Sequence, residues 1–295
     1  MQVLPETEWL PLQAAHQSRV DELLHDQLDR RREAPKHPVY DFLFEYYHFR
    51  PGQLRQWHPG AGIALTGPAA AEYLAVRGYR QFPDGVTADP ETLNDARRTS
   101  LHWLQQLLTL TLERHPFFGC HGLHEWAMVY RTPEIRHATW PLRFTSERIA
   151  QIVEDHPICC SHFDAFRHFA EAARPLNRLQ PTRPTSSDHE QRGCLHANMD
   201  LYKWAFKFAP FVSSKLTLDA FELALKIREI DMRASPYDFS ELGFKPIPIE
   251  TAEGRAEYEK WQREFAEAGQ PIRRRLLNEL KGIGNRLTHV PVNSI

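Results

Sequence analysis

The sequence predicts an all-α protein, a single helical domain over residues 1–295 with little or no β-structure. Three observations carry that expectation. Apolar residues recur at helical spacing over much of the chain, helix-start signals precede some of those runs, and Gly- and Pro-rich connectors separate them. No internal repeat and no phosphate-binding glycine fingerprint interrupts the pattern: Gly60, Gly62 and Gly67 are not followed by the GK[ST] of a phosphate loop.

In chain order, Trp9, Leu12, Val20, Leu23, Leu24 and Leu28 predict an amphipathic helix over 8–33, ending in the charge cluster 29–33 before Pro35. Residues 37–60 crowd Tyr40, Phe42, Phe44, Tyr46, Tyr47, Phe49 and Trp57 around Asp41, His48, Arg50 and His58, the make-up of a pocket wall. A short helix is expected at 68–77. Asp89 followed by Pro90 is a helix start, and Leu93, Leu101, Leu104, Leu107, Leu108 and Leu112 line one side of a helix over 90–114. Leu123, Trp126, Ala127 and Tyr130 give the inward face of a helix over 117–131. Ser161 is the expected N-cap of a helix over 161–173, in which His162 points inward with Phe166 and Phe169. The Pro- and Ser-rich run 181–193 reads as an exposed loop. Helices follow over 194–208, 215–233, 251–268 and 271–288, the third and fourth charged and amphipathic.

The densest chemistry lies in CLHANMDLYKWAFK, residues 194–207. His196 and Asp200 are four residues apart and project from one helical face, amid Leu195, Met199, Leu201, Trp204 and Phe206. Polar groups on so apolar a helix need partners. Asp231 poses the same question: Asp219, Glu222, Lys226, Glu229 and Arg233 form the solvent stripe of its helix, whereas Asp231 shares the other face with Phe221, Ala224 and Ile227. His124, His162, His196 and Asp231 therefore form the expected polar pocket, lined by 37–60, 118–131, 161–173, 194–208 and 216–238. His121 with Glu125, Asp164 with His168, and His196 with Asp200 repeat a histidine–acid pair at i, i+4. That spacing serves a metal centre between helices or simple helix stabilisation worth a few tenths of a kcal/mol; Asp164 and His168 suit the second. The HExxH zinc motif is absent, because Met128 stands where its second histidine would be.

Composition narrows the classes. With 42% hydrophobic and 25% charged residues and a formal charge of −2, the chain is globular and has no global basic field for nucleic acid. Its 16 histidines suit metal or acid–base chemistry. Four cysteines, Cys120, Cys159, Cys160 and Cys194, make no CxxC pair, so reduced thiols in the cytoplasm are expected. No signal peptide and no apolar run of roughly 20 residues is seen.

Several stretches resemble one bacterial family that goes under the name 3-methyladenine DNA glycosylase: HPVYDFLFEYYHFRP (37–51), RQWHPG (55–60), GLHEWAMVYR (122–131), SHFDAFRHF (161–169), CLHANMDLYKWAFK (194–207) and DMRASPYD (231–238). The resemblance covers most of the chain and implies hydrolysis of the N-glycosidic bond of a damaged base, which requires a carboxylate and aromatic stacking. Asp231, Asp200 and Glu125, with His196, are the candidate catalytic groups. Trp57, Trp126, Tyr202, Arg131, Asn198 and Tyr237 are the candidate substrate contacts. Leu280–Lys281–Gly282–Ile283–Gly284 is similar to the Gly-rich hairpin of helix-hairpin-helix glycosylases, but the aspartate of that pattern does not follow it. Arg273, Arg274, Arg275 and Lys281 offer a local basic face for DNA. The other reading is a small-molecule enzyme with a divalent iron, manganese or zinc ion held by His124, His162, His196 and a carboxylate. Net charge and histidine content suit it better.

Overall fold

The structure, a computed structural model, describes residues 1–30, 37–135 and 139–288. It is mostly helical, at 60%, but the all-α expectation needs correction: a four-stranded mixed sheet is present. The chain, read as one domain from sequence, folds into two compact units. The first comprises Met1–Leu108, Leu201–Glu222 and Ile272–Ile295; the second comprises Thr109–Asp200 and Leu223–Pro271. Of the segments expected to line one pocket, 37–60 thus belongs to the first unit, and 118–131 and 161–173 to the second.

The first unit holds the sheet. Strands β1 (Gln2–Leu4), β2 (Ile63–Leu65), β3 (Tyr79–Phe82) and β4 (Gly85–Ala88) are ordered β1-β2-β4-β3. β1 runs parallel to β2, with Val3 opposite Ala64, and the other pairs are antiparallel. These strands are three or four residues long, too short to show an alternating pattern against a Gly-, Pro- and Ala-rich background. Gly85 is required where it stands: its φ is +133°, and a Cβ there would sit 2.5 Å from the Leu65 carbonyl oxygen. Helix α1 (Glu6–Arg30) lies at the predicted place; residues 31–33 of the expected helix lie outside the described residues. Its Trp9 is buried, donates from Nε1 to the Thr66 carbonyl at 3.0 Å and stacks on Trp57. The aromatic segment forms two short helices, α2 (Phe42–Tyr47) and α3 (Pro51–Arg55). The short helix expected at 68–77 is a 3₁₀ helix over Pro68–Ala75. Asp89 does cap, accepting from the Glu91 amide, but caps a three-residue 3₁₀ turn; helix α4 (Asp95–Glu113) follows.

The second unit contains α5 (Leu123–Met128), α6 (Ser146–Asp155), α7 (Phe163–Phe166) and α8 (Ser186–His189). Two predicted helices shrink here. His121 and Gly122 both adopt left-handed φ, 47° and 74°, so α5 starts only at Leu123 and spans six residues. His121 is therefore not one helical turn before Glu125. α7 spans four residues, and its N-cap is His162 rather than Ser161: the His162 ring accepts from the Ala165 amide. Asp164 pairs with Arg167 at 3.1 Å. Helices α9 (Leu195–Lys207), α10 (Ser214–Arg233) and α11 (Ala252–Thr288) contribute residues to both units.

α11 merges two predicted helices through Pro271. An internal proline forfeits one backbone bond and costs about 3 kcal/mol, but Ile272, Leu276, Leu277 and Leu280 just beyond it are buried. The same continuity overturns two expectations. Gly282 and Gly284 lie inside a helix, not in a hairpin. Arg273 is fully buried, because it shares a face with Leu276, Leu277 and Leu280, and Arg275 is paired with Asp219 at 2.6 Å. Arg274 and Lys281 remain exposed, so the four residues do not form one open basic face. Among the described residues, no helix is long and apolar enough to cross a membrane.

Candidate metal centre

Three separate elements of the second unit bring four ligand-type side chains together. α5 supplies His124 and Glu125, α9 supplies His196 and α10 supplies Asp231. One potential ligand atom from each lies within 4.8 Å of all the others, and all four residues are buried. The left-handed turn at His121–Gly122 aims the start of α5: a Cβ at Gly122 would press to 3.3 Å on the buried ring of Tyr258.

Asp231 is the hub. Its Oδ1 lies 3.0 Å from His124 Nε2, and its Oδ2 lies 3.9 Å from His196 Nε2 and 3.4 Å from the Arg228 guanidinium. Arg228 also reaches Glu125 at 3.4 Å, and Glu125 lies 3.9 Å from His124 Nε2. The imidazoles of His124 and His196 meet edge to face at 4.5 Å. Burial alone would raise the Asp231 pKa, but the charge and hydrogen bond of His124, with the Arg228 guanidinium, hold it below the ordinary carboxylate range. Burial is likewise the largest influence on His124 and acts downward, yet Asp231 and then Cys120 raise its pKa overall. His196 is held neutral, its pKa lowered to about 3 by burial and then by the charge of His124. Burial and the charge of Asp231 raise Glu125, against Arg228.

The two imidazoles differ in their hydrogen bonds. His124 Nδ1 lies 3.6 Å from Cys120 Sγ, which leaves Nε2 facing the carboxylates. Neither ring nitrogen of His196 makes a hydrogen bond among the described residues, and its Nε2 lies 3.9 Å from Asp231 Oδ2. Two nitrogens and two carboxylate oxygens would suit iron(II), manganese(II) or zinc(II), and Nε2 of His124 would have to give up its proton to serve as a ligand.

His162 departs from its predicted role as a ligand. Its Nδ1 accepts from the Ala165 amide at 3.3 Å, which places the ring proton on Nε2, and that group donates to Asp200 Oδ2 at 3.1 Å. Both nitrogens are thereby committed. His162 instead stacks on His196 at 5.4 Å, and Glu190 approaches it at 3.7 Å, so His162, Asp200 and Glu190 flank the four-residue cluster. Asp200 sits beside a histidine, one remove from Asp231.

The nominated substrate contacts are dispersed. Trp126 is fully buried and donates from Nε1 to the Ala234 carbonyl at 2.9 Å. Asn198 is fully buried, and its amide donates to the carbonyls of Arg192 and Cys194. Tyr237 is buried and bridges to Leu142. Arg131 is exposed in an ion pair with Glu154 at 2.6 Å. Trp57 and Tyr202 belong to the first unit, where both are buried.

Sequence reasoning missed Arg228, Glu190 and Cys120. Arg228 had a signal: it lies three residues before Asp231 and so shares its inward face. Cys120 stands four residues before His124, but across the chain reversal at His121–Gly122. Glu190 follows α8 in an aperiodic stretch that offers no pattern. Comparison of the chain with protein-family models, with curated proteins and with solved structures gave no match.

Proposed function

We propose that the chain is a metal-dependent enzyme acting on a small molecule, with one divalent iron, manganese or zinc ion held by His124, Glu125, His196 and Asp231. The observation that carries this reading is the convergence of those four buried side chains, from three elements, within 4.8 Å. His196 supplies a neutral nitrogen, Asp231 an ionised carboxylate and His124 a nitrogen backed by Cys120, as ligand histidines are commonly backed by an acceptor. A bound ion would serve as a Lewis acid or lower the pKa of a coordinated water. Arg228 and the pair His162–Asp200 border this set and would fix the positions of its carboxylates and of His196. Elemental analysis of protein purified without chelator tests the reading: about one ion per chain is expected, lost in His196→Ala. Full-length folded protein that takes up none of the three metals would sink it.

A second reading follows from the family resemblance and from one observation, that Asp231 is held ionised in a buried site, as a carboxylate assisting N-glycosidic hydrolysis must be. The aromatics named for base stacking weigh against it, since Trp57, Trp126 and Tyr202 are all core side chains. Release of free base from alkylated DNA, abolished by Asp231→Asn, would favour this reading over the first. The exposed Arg274 and Lys281 are then the side chains through which DNA contact is tested.

A further inference from the structure

The first unit carries a cavity of about 410 Å³, and none of its lining residues belongs to the metal-type cluster. Leu4, Leu12, Ile63, Trp57 and Leu218 make its walls apolar. Its charged rim is already paired: Arg19 with Glu222 at 2.6 Å, and Lys215 with Asp219 at 3.6 Å. Two buried histidines, His16 and His58, also line it, 7% and 6% exposed.

Their hydrogen bonds fix what they present. His16 Nε2 lies 2.9 Å from the Leu54 carbonyl oxygen, which can only accept, so Nε2 bears the proton and Nδ1 of the neutral ring is a bare acceptor. His58 Nδ1 lies 3.1 Å from the Tyr79 hydroxyl. A phenol is the better donor of that pair, which puts the His58 proton on Nε2. Neither His16 Nδ1 nor His58 Nε2 has a protein partner among the described residues. Both rings are neutral near pH 7, because burial lowers their pKa values, that of His58 to about 4.

We infer that this cavity binds a hydroxyl group on a hydrocarbon body, an alcohol or phenol whose O–H donates to His16 Nδ1 and accepts from His58 Nε2–H. One acceptor and one donor on an apolar floor match a hydroxyl and disfavour a carboxylate, which has no proton to give, or an ammonium, which has nothing to accept with. A ligand with the same body and no hydroxyl would leave both ring nitrogens dry and unsatisfied.

Titration of the full chain with p-cresol and with toluene, which differs from it only by the hydroxyl, tests the inference. p-Cresol is expected to bind at least about tenfold more tightly and to shift the ring ¹⁵N resonances of His16 and His58 in the unmodified protein. His58→Phe is expected to bring the two affinities together. Toluene binding as tightly as p-cresol, binding of neither, or p-cresol binding without moving either histidine would overturn it. The ring ¹⁵N measurement stands even if His58→Phe does not fold.

Discussion

Asp231→Asn changes no shape and removes one charge, and the structure says what that charge holds. The side chain is 1% exposed, and its two oxygens face His124 at 3.0 Å, Arg228 at 3.4 Å and His196 at 3.9 Å. Removing one partner of a buried ion pair leaves the others uncompensated and costs about 3–5 kcal/mol, a large part of the roughly 5–15 kcal/mol that a native protein has. The direction with pH is determined by His124. Its raised folded pKa contributes stability that is complete below its unfolded value of 6.5 and is lost as pH rises through the folded value. Asp231, with its depressed pKa, contributes stability present above 3.8 and lost as pH falls toward its folded value. Urea unfolding of chelator-treated protein at pH 6 should show the 3–5 kcal/mol loss, shrinking at alkaline pH as His124 deprotonates. A loss under about 1 kcal/mol at pH 6 would refute the picture of Asp231 as an ionised hub.

Four further outcomes are expected. His58 is neutral when folded down to about pH 4 but has a pKa of 6.5 when unfolded, so it alone should contribute a fall in stability of about 1.4 kcal/mol per pH unit from 6.5 to 4, and His58→Gln should make the pH dependence of the urea midpoints shallower by that amount. Saturating zinc or manganese at about 100 times its Kd should stabilise the chelator-treated protein by about 2.7 kcal/mol, read as a rise in Tm, and His196→Ala should abolish the rise. Trp126→Ala should cost about 3–5 kcal/mol in stability, since the ring is fully buried; a raised KM at unchanged stability would restore it as a substrate contact. Arg131→Ala should change stability by less than about 1 kcal/mol in thermal melts, since its partner Glu154 and Arg131 itself are 41% and 60% exposed.

The long helices were legible because burial imposes a period of 3.6. α1, α4, α9 and α10 fall where their leucines and aromatics put them, and the inward Asp231 is visible in the same pattern. The strands were not legible: β1 and β2 have three residues each and exist through pairing across some sixty positions of chain. α5 and α7 were overextended because backbone reversal at His121–Gly122 and capping by His162 are local geometric events that an apolar pattern does not encode. Arg273 shows the converse, a basic triplet in which one arginine follows the leucines inward.

For the candidate site, the sequence by itself determined which polar side chains stand on apolar faces: His124, His162, His196 and Asp231. Tertiary structure alone decided their roles. It replaced His162 with Glu125 in the ligand-type set, because a histidine whose nitrogens serve the Ala165 amide and Asp200 has no lone pair to give. It also brought Arg228 against both carboxylates and set Cys120 behind His124. Periodicity reports which way a side chain faces; which atom it meets depends on the crossing of elements distant in sequence.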